Sequence, residues 1–273
     1  MQEVVPAESV DRFRRLARSS PWLWRSIRFT VDDADGSRIR AWIRRPDQLR
    51  VEDLDGHVLF ASRGRPTPTG VAVVTLVEPG VDPEPASAPT VGWWTDPGAP
   101  EPERDADGLV IAPVHLPPMV VVDDPMWQNY RWVAMLNPRE LADTYDGEPG
   151  VEIDSLAEVE RDGRATLWAT VRPRADYNPR CSCCPLLPSR AAVLAEGIGD
   201  PDGSFADAHR VALDVATGIC VSARELGGPD HGRGFDLEIE AVDEELTDEW
   251  FSVDFPGSRG GPGRFRRWWL ERR

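Results

Sequence analysis

The chain has 273 residues and a mass of 30.3 kDa, enough for one large β domain or two ordinary domains. Acidic residues outnumber basic residues by 47 to 31, and the resulting formal charge of −16 disfavours binding to the phosphate backbone of nucleic acids. No apolar run approaches the roughly 18 residues of a membrane-spanning helix, and every basic residue is arginine, which excludes lysine Schiff-base and Walker-type chemistry.

The N-terminal region combines acidic residues with a short amphipathic pattern and has no continuous apolar stretch. This composition is not typical of a signal peptide, so the sequence predicts a cytoplasmic protein. Val10, Phe13 and Leu16 share one helical face, which predicts a helix over 7–18.

Four short segments in which apolar residues alternate with polar ones follow between residues 27 and 60. Turn-forming pairs such as Asp35-Gly36 and Asp55-Gly56 separate them, so we expect a β-meander. A fifth segment, 71–77, is apolar almost throughout and predicts a strand that is covered on both faces.

An acidic, proline-rich insertion occupies residues 78–108, where seven prolines and eight acids accompany one arginine. Long segments of this kind in compact domains are typically lids, binding loops or disordered regions. Trp93 and Trp94 lie at its centre. Two alternatives are open for these indoles: a hydrophobic plug at the mouth of a cavity, or ordinary packing of the loop.

The middle of the chain carries two helix-start signals. Asp124-Pro125 offers an N-cap acid followed by a proline at the first helical position. Asn137-Pro138, with Glu140 three residues after the asparagine, is close to a capping box. Alternating segments then return, joined by turns at Asp162-Gly163 and Thr217-Gly218, over 165–171, 211–215, 219–223 and 235–241. Because parallel βαβ alternation is missing, we expect a mainly β (α+β) fold whose antiparallel sheet has helices on one face.

The order of these elements resembles that of the LolA-like superfamily of lipoprotein carriers and RseB-type sigma-E regulators. The stretches that carry the resemblance are 38–62 (RIRAWIRRPDQLRVEDLDGHVLFAS), 135–138 (MLNP), 158–171 (EVERDGRATLWATV), 211–221 and 235–251 (FDLEIEAVDEELTDEWF). The resemblance implies a strongly curved half-barrel sheet with helices packed in or across its concave face. It also implies a cavity for a lipid, another apolar small molecule or a hydrophobic protein segment. We therefore predict one domain over 1–256 that includes the insertion.

A cysteine cluster is the sharpest local signal: Cys181, Cys183 and Cys184 fall within four residues. Their C-x-x-C spacing occurs in zinc knuckles and redox pairs, and Cys220 or His209 could supply a fourth zinc ligand. The alternatives are buried thiols without a function, so that no cofactor is needed, or a disulfide such as one to Cys220. All four histidines lack local metal-ligand spacing and are expected in turns or at the surface: His57, His115, His209 and His231.

The C-terminal tail, 257–273, is opposite in charge to the rest of the chain, with six arginines and one glutamate. Phe265, Trp268 and Trp269 alternate with arginines. This pattern could form a short amphipathic helix for an acidic membrane surface or a partner protein. The other interpretation is that the tail folds back onto its own acidic domain.

Enzyme motifs are not evident, because the chain has no G-x-S-x-G, H-E-x-x-H or P-loop pattern and Gly197-Ile198-Gly199 lacks dinucleotide-binding spacing. The leading hypothesis is therefore a non-enzymatic protein that binds an apolar ligand or a hydrophobic partner segment. The second hypothesis is a metal- or thiol-containing protein based on the cysteine cluster. The third is a regulatory adaptor that docks through the tail.

Overall fold

The structure is a computed structural model, and it describes residues 5–33, 36–62, 101–112, 124–144, 147–181, 183–197 and 199–252. The predicted strand at 71–77, the Trp93-Trp94 pair, His115 and the basic tail lie outside these residues. The expectations for them, including the domain boundary at residue 256, remain predictions.

The described residues form three short-to-medium α-helices and nine strands. The helices are α1 (Ala7–Leu23), α2 (Arg131–Leu136) and α3 (Arg190–Glu196), and two 3-10 helices span Arg139–Leu141 and Asp248–Phe251. The strands are β1 (Ser26–Asp32), β2 (Arg38–Arg44), β3 (Gln48–Asp53), β4 (Val58–Ser62), β5 (Val151–Arg161), β6 (Arg164–Pro173), β7 (Ala208–Asp214), β8 (Cys220–Leu226) and β9 (Gly234–Val242).

All nine strands belong to one open antiparallel sheet in the order β4-β3-β2-β1-β9-β8-β7-β6-β5. The prediction of a mainly β, antiparallel α+β fold is confirmed. Each meander forms from neighbours in the chain, whereas β1 pairs with β9 across more than 200 residues, with Phe29 opposite Ile239 and Val31 opposite Leu237. This one long-range pairing joins the two halves into a single sheet.

One continuous apolar core lies between the helices and the sheet. Phe13, Leu16 and Ala17 of α1 are fully buried in it, and α1 contacts β5 and β7. Trp132 of α2 packs against Phe29 of β1, with ring centroids 5.5 Å apart. Side chains from α1 and α2 therefore pack against one face of the described sheet.

The helix α1 extends one turn beyond its predicted end, to Leu23. Ser19 and Ser20 of this turn are completely buried, which interrupts the amphipathic pattern in the sequence. Their hydroxyl groups find partners in the fold: Ser19 Oγ accepts from the Val110 N–H, and Ser20 Oγ donates to the Leu136 carbonyl. Because buried polar groups are tolerated when hydrogen-bonded, tertiary contacts decide where this helix ends.

Both helix-start predictions in the middle of the chain are wrong in detail. Asp124 caps no helix, because its carboxylate accepts two hydrogen bonds from the buried guanidinium of Arg45, at 2.6 and 2.9 Å; α2 begins only at Arg131. The Asn137 segment forms a 3-10 turn without a side-chain cap. Glu140 faces inward instead of capping that turn.

Two elements were missed from the sequence. Strand β5 carries a register shift between Ile153 and Ser155 and is mostly exposed, so its apolar residues do not keep one alternating phase. Helix α3 has only 7 residues, but its ends follow ordinary rules. Ser189 Oγ accepts from the Ala192 N–H at its start, and Gly197 in the left-handed region ends it. This glycine is therefore a helix C-cap.

None of the helices in the described parts of the chain combines the length and the apolar character needed to cross a membrane.

Candidate functional site

A cleft of about 240 Å³ lies between the cysteine-bearing segment, 183–188, and strands β7, β8 and β9. Cys183 and Cys184 line one side, and His209 and Phe235 line the sheet side. The charged residues around it are Arg131, Arg224, Glu225, Asp230 and Arg233. We refer to this feature as the cysteine cleft.

Three thiols cluster beside the cysteine cleft, and two of them, Cys183 and Cys184, line it. The sulfur atoms of Cys181, Cys183 and Cys184 all lie within 4.8 Å of one another, and the Cys183 and Cys184 sulfurs are 3.6 Å apart. None of the four cysteines in the chain forms a disulfide in the structure. Burial raises the pKa of Cys184 to about 12, and the hydrogen bond with Cys181 is the largest cause of the raised pKa of Cys183. A cation that binds all three sulfurs would favour their thiolate forms.

His209 is the second unusual group in this cleft. It lies on β7, the third strand from the β5 edge of the sheet, and it is only 1% exposed, so its predicted turn or surface position is wrong. Neither ring nitrogen makes a well-formed hydrogen bond with the described residues, and the Pro188 backbone offers only a weaker one. Burial lowers its pKa to about 4, against a weaker opposite effect of the Pro188 backbone. The imidazole is therefore neutral at physiological pH. A neutral imidazole has one nitrogen lone pair that can bind a metal ion.

A buried carboxylate organises the segment that carries the cysteines. Glu140 accepts hydrogen bonds from the Tyr177 hydroxyl, from the Arg180 N–H at 2.9 Å and from the Leu186 N–H at 3.2 Å. Burial raises the pKa of Glu140, because a charged carboxylate loses its hydration there. Burial and the neighbouring Glu140 raise the pKa of Tyr177 well above its ordinary value. One side chain thus binds the backbone on both sides of the cysteines, and Leu186 and Leu187 also anchor the segment in the apolar core.

The structure separates the two candidates for a fourth zinc ligand. His209 lines the cysteine cleft, as the metal hypothesis requires. Cys220 is not part of the sulfur cluster: it is fully buried on β8, and its thiol donates to the Ser222 carbonyl at 3.3 Å. Burial also raises the pKa of Cys220 to about 12. The structure therefore clusters three of the five sequence-predicted residues and places His209 in the cleft that two of them line.

Sequence reasoning missed two residues of this region, Glu140 and Glu225. Glu140 had the spacing of a capping-box residue, which gave no sign of a buried role. Glu225 stands opposite His209 in the β7–β8 pairing and lines the cysteine cleft. Its position depends on a hairpin register that alternation alone does not specify, since a shift of one residue would turn it to the other face.

A second group of potential ligands is exposed at the β3–β4 turn. Asp53 and His57 form a hydrogen bond of 2.9 Å between Oδ2 and Nδ1, and Asp55 is adjacent. This bond is the largest cause of the raised pKa of His57. Asp53 Oδ1 also accepts the N–H groups of Asp55 and His57. These contacts account for the group as an ordinary turn, in agreement with the predicted surface position of His57.

Comparison with known proteins identifies no family. No protein-family model matches the chain, and no curated protein matches it. Among solved structures, the chain is similar to the crystal structure of MucB, at 13% sequence identity and a TM-score of 0.33. The match covers 91% of this chain, which spans 64% of the MucB chain. At this TM-score the likeness is distant, and it supports neither a family assignment nor a function.

Proposed function

We propose that this protein is a non-enzymatic metal-binding protein that holds a zinc ion in the cysteine cleft. The thiolates of Cys181, Cys183 and Cys184 are three of the ligands. His209, which lines the same cleft but lies outside the group whose ligand atoms are all within 4.8 Å of one another, is the candidate for the fourth. One observation carries the proposal: buried His209 lines the same cleft as Cys183 and Cys184, whose sulfurs cluster with that of Cys181. Thiolate and neutral imidazole are the ligands that zinc prefers in structural sites.

The spacing of the sulfurs fits this ion. Tetrahedral zinc with bonds of about 2.3 Å to sulfur places neighbouring sulfurs about 3.8 Å apart. The three sulfurs lie within 4.8 Å of one another without a metal, and one pair is at 3.6 Å. A set of three cysteines and one histidine fills all four positions around zinc. Because catalytic zinc sites keep one position open, a filled set supports a structural or regulatory role instead of catalysis.

The proposal includes a reducing compartment. The thiols must remain reduced to bind the ion, and cytoplasmic conditions keep them so. The proposed location is therefore the cytoplasm.

Metal analysis of the purified protein tests the proposal. We expect about one zinc per chain and a strong thiolate-to-metal absorption band after substitution with Co²⁺. Replacing Cys181, Cys183 and Cys184 together by serine should remove both signals. Cys220→Ala is the matched control, because this cysteine lies outside the cluster, and it should retain the metal. Less than about a tenth of an equivalent of bound metal, with the three clustered thiols freely reactive in zinc-containing buffer, would contradict the proposal.

A second candidate function, binding of an apolar ligand or a hydrophobic partner segment, is favoured by a different surface. Phe60 on β4 and Trp127 are partly buried, with ring centroids 5.5 Å apart. This apolar patch lies at the β4 end of the sheet, from which the chain leads into the segment that contains Trp93 and Trp94. By contrast, the cysteine cleft is smaller than the roughly 300–1,000 Å³ of typical ligand pockets, and charged residues surround it.

Native mass spectrometry tests this second function. A copurified apolar molecule, lost when Trp93, Trp94 and Trp127 are replaced by alanine, would support it. A chain that carries no added mass and does not enhance the fluorescence of an apolar dye would contradict it. Neither result depends on whether zinc is bound.

A further inference from the structure

We propose that Glu140 positions the cysteine cluster for metal binding, an inference that rests on the zinc site proposed above. Glu140 lies about 40 residues before the cysteines and touches none of them in the hydrogen bonds of the described residues. It acts on the backbone that carries them. It is therefore a positioning residue and not a ligand.

The hydrogen bonds of Glu140 bracket the cysteine cluster. Its Oε2 accepts from the N–H of Arg180, the residue directly before Cys181. Its Oε1 accepts from the N–H of Leu186, two residues after Cys184. The two ends of the segment that carries all three sulfurs are thus attached to the two oxygens of one carboxylate. The Tyr177 hydroxyl, also bound to Oε1, holds the chain just before this segment.

A carboxylate suits this role because it only accepts hydrogen bonds. Three donors converge on Glu140, and an ionised carboxylate can accept all of them. In a glutamine, the amide nitrogen would face one of the N–H donors. One end of the segment would then lose its attachment, and the sulfurs would spread. Second-shell groups that orient ligands in this way typically change metal affinity by about 10- to 100-fold.

Asp143 provides a matched control in the same part of the chain. It is also a buried carboxylate, but its hydrogen bonds go to the guanidinium of Arg18 on α1, at 2.5 and 2.8 Å. Asp143→Asn therefore tests the loss of a buried carboxylate without releasing the cysteine segment. Tyr177→Phe removes one of the three donors of Glu140 and leaves both backbone attachments in place.

Zinc competition with a chromophoric chelator measures the expected difference. We expect Glu140→Gln to weaken zinc binding by about 10- to 100-fold and to alter the absorption bands of the Co²⁺-substituted protein. Tyr177→Phe should weaken binding by less, and Asp143→Asn should leave the affinity within about threefold while lowering thermal stability. The proposal is overturned if Glu140→Gln and Tyr177→Phe bind zinc as tightly as the wild type, or if Asp143→Asn weakens binding as much as Glu140→Gln.

Thiol reactivity in metal-free protein separates failure of this inference from failure of the zinc proposal. Cys184 is buried and should react slowly with a thiol reagent in the wild type. We expect the reaction to be about tenfold faster in Glu140→Gln and unchanged in Asp143→Asn. If the wild type binds no zinc, the zinc proposal fails and these rates still decide whether Glu140 holds the segment. If zinc binds equally to all variants and the rates are equal, only the positioning role fails. Should Glu140→Gln not fold, Tyr177→Phe provides the same two measurements.

Discussion

Near the C-terminal end of α1, buried charges face opposite charges, whereas the cysteine cleft contains a buried imidazole that makes no well-formed hydrogen bond with the described residues. The side chains of Arg45 and Asp124 are 3% and 0% exposed and form a bidentate pair. Arg45 Nη1 also donates to the carbonyls of Ser20, Pro21 and Trp24, at 2.9 to 3.0 Å. The buried charges of the first region are paired within the protein. The imidazole of the second region is the group on which the zinc proposal depends.

Loss of the Arg45–Asp124 ion pair should have the largest effect on the free energy of unfolding. Arg45→Met leaves the Asp124 carboxylate buried without its cation and removes the donor to three carbonyls at the end of α1. We expect a loss of about 3–5 kcal/mol in the free energy of unfolding, measured by urea denaturation. Adding Asp124→Leu should recover part of this loss. A decrease below about 1 kcal/mol would show that the pair contributes little beyond its own desolvation.

Replacing His209 should not lower the free energy of unfolding of the metal-free protein. His209→Leu replaces a buried imidazole that lacks a well-formed hydrogen bond with the described residues by an apolar side chain, so we expect the metal-free protein to be as stable as the wild type or more stable by about 1–2 kcal/mol. The same variant should lose most of the stabilisation that zinc confers on the wild type, measured as the shift in Tm with added zinc. A loss above about 2 kcal/mol in metal-free protein would mean that a hydrogen bond of the imidazole stabilises the fold.

The free energy of unfolding should depend on pH differently in the wild type, which has the Glu140 carboxylate, and in Glu140→Gln, which has an amide. The pKa of Glu140 is raised above its ordinary value of 4.5, so the folded state binds the proton more tightly than the unfolded state does. The stability from this group is full below pH 4.5 and is lost as pH rises through the raised pKa, with a slope of at most about 1.4 kcal/mol per pH unit. The stability advantage of the wild type over Glu140→Gln should therefore narrow as pH rises from 4.5, in urea titrations of metal-free protein. A widening advantage would show that the folded-state pKa is lowered.

The smallest effect is expected on the outer face of the sheet, where contacts are partly solvated. Trp250 is 37% exposed, lies edge-on to Trp42 with centroids 5.3 Å apart, and has the Arg50 guanidinium 4.3 Å from its ring centroid. Trp250→Ala should cost about 1 kcal/mol without changing zinc affinity. Leu194→Ala is the control, because this side chain is 59% exposed and should change stability by less than about 0.5 kcal/mol. Equal effects of the two variants would indicate that the ring contacts contribute nothing.

Much of the sheet was predictable because each β-meander is local in sequence. Alternation of apolar residues marked eight of the nine strands, and the Thr217-Gly218 and Asp162-Gly163 turns occur where they were predicted. Gly218 is required at its turn for two reasons. Its φ is positive, and a Cβ there would lie 2.7 Å from the Leu16 carbonyl oxygen of α1. Alternation was informative for strands with one face in the core, and it failed for β5, which is mostly exposed.

The candidate site was only half predictable. The cysteines are adjacent in sequence, so their proximity needs no tertiary information. His209 reaches the same cleft only because β7 lies beside the returning cysteine segment in the fold. Glu140 looked like a helix cap because a capping box and a buried acceptor share the same local spacing.

The sequence by itself determined the strands, the local turns, the antiparallel class and the cysteine cluster, because each depends on residues a few positions apart. Tertiary structure alone decided that β1 pairs with β9, that Arg45 meets Asp124, that Glu140 faces inward, and that His209 and not Cys220 shares the cleft. The physical reason is that burial sets the partner of a polar group. The partner of a buried charge is whichever residue the folded chain places beside it. That residue is often distant in sequence, so local spacing does not predict it.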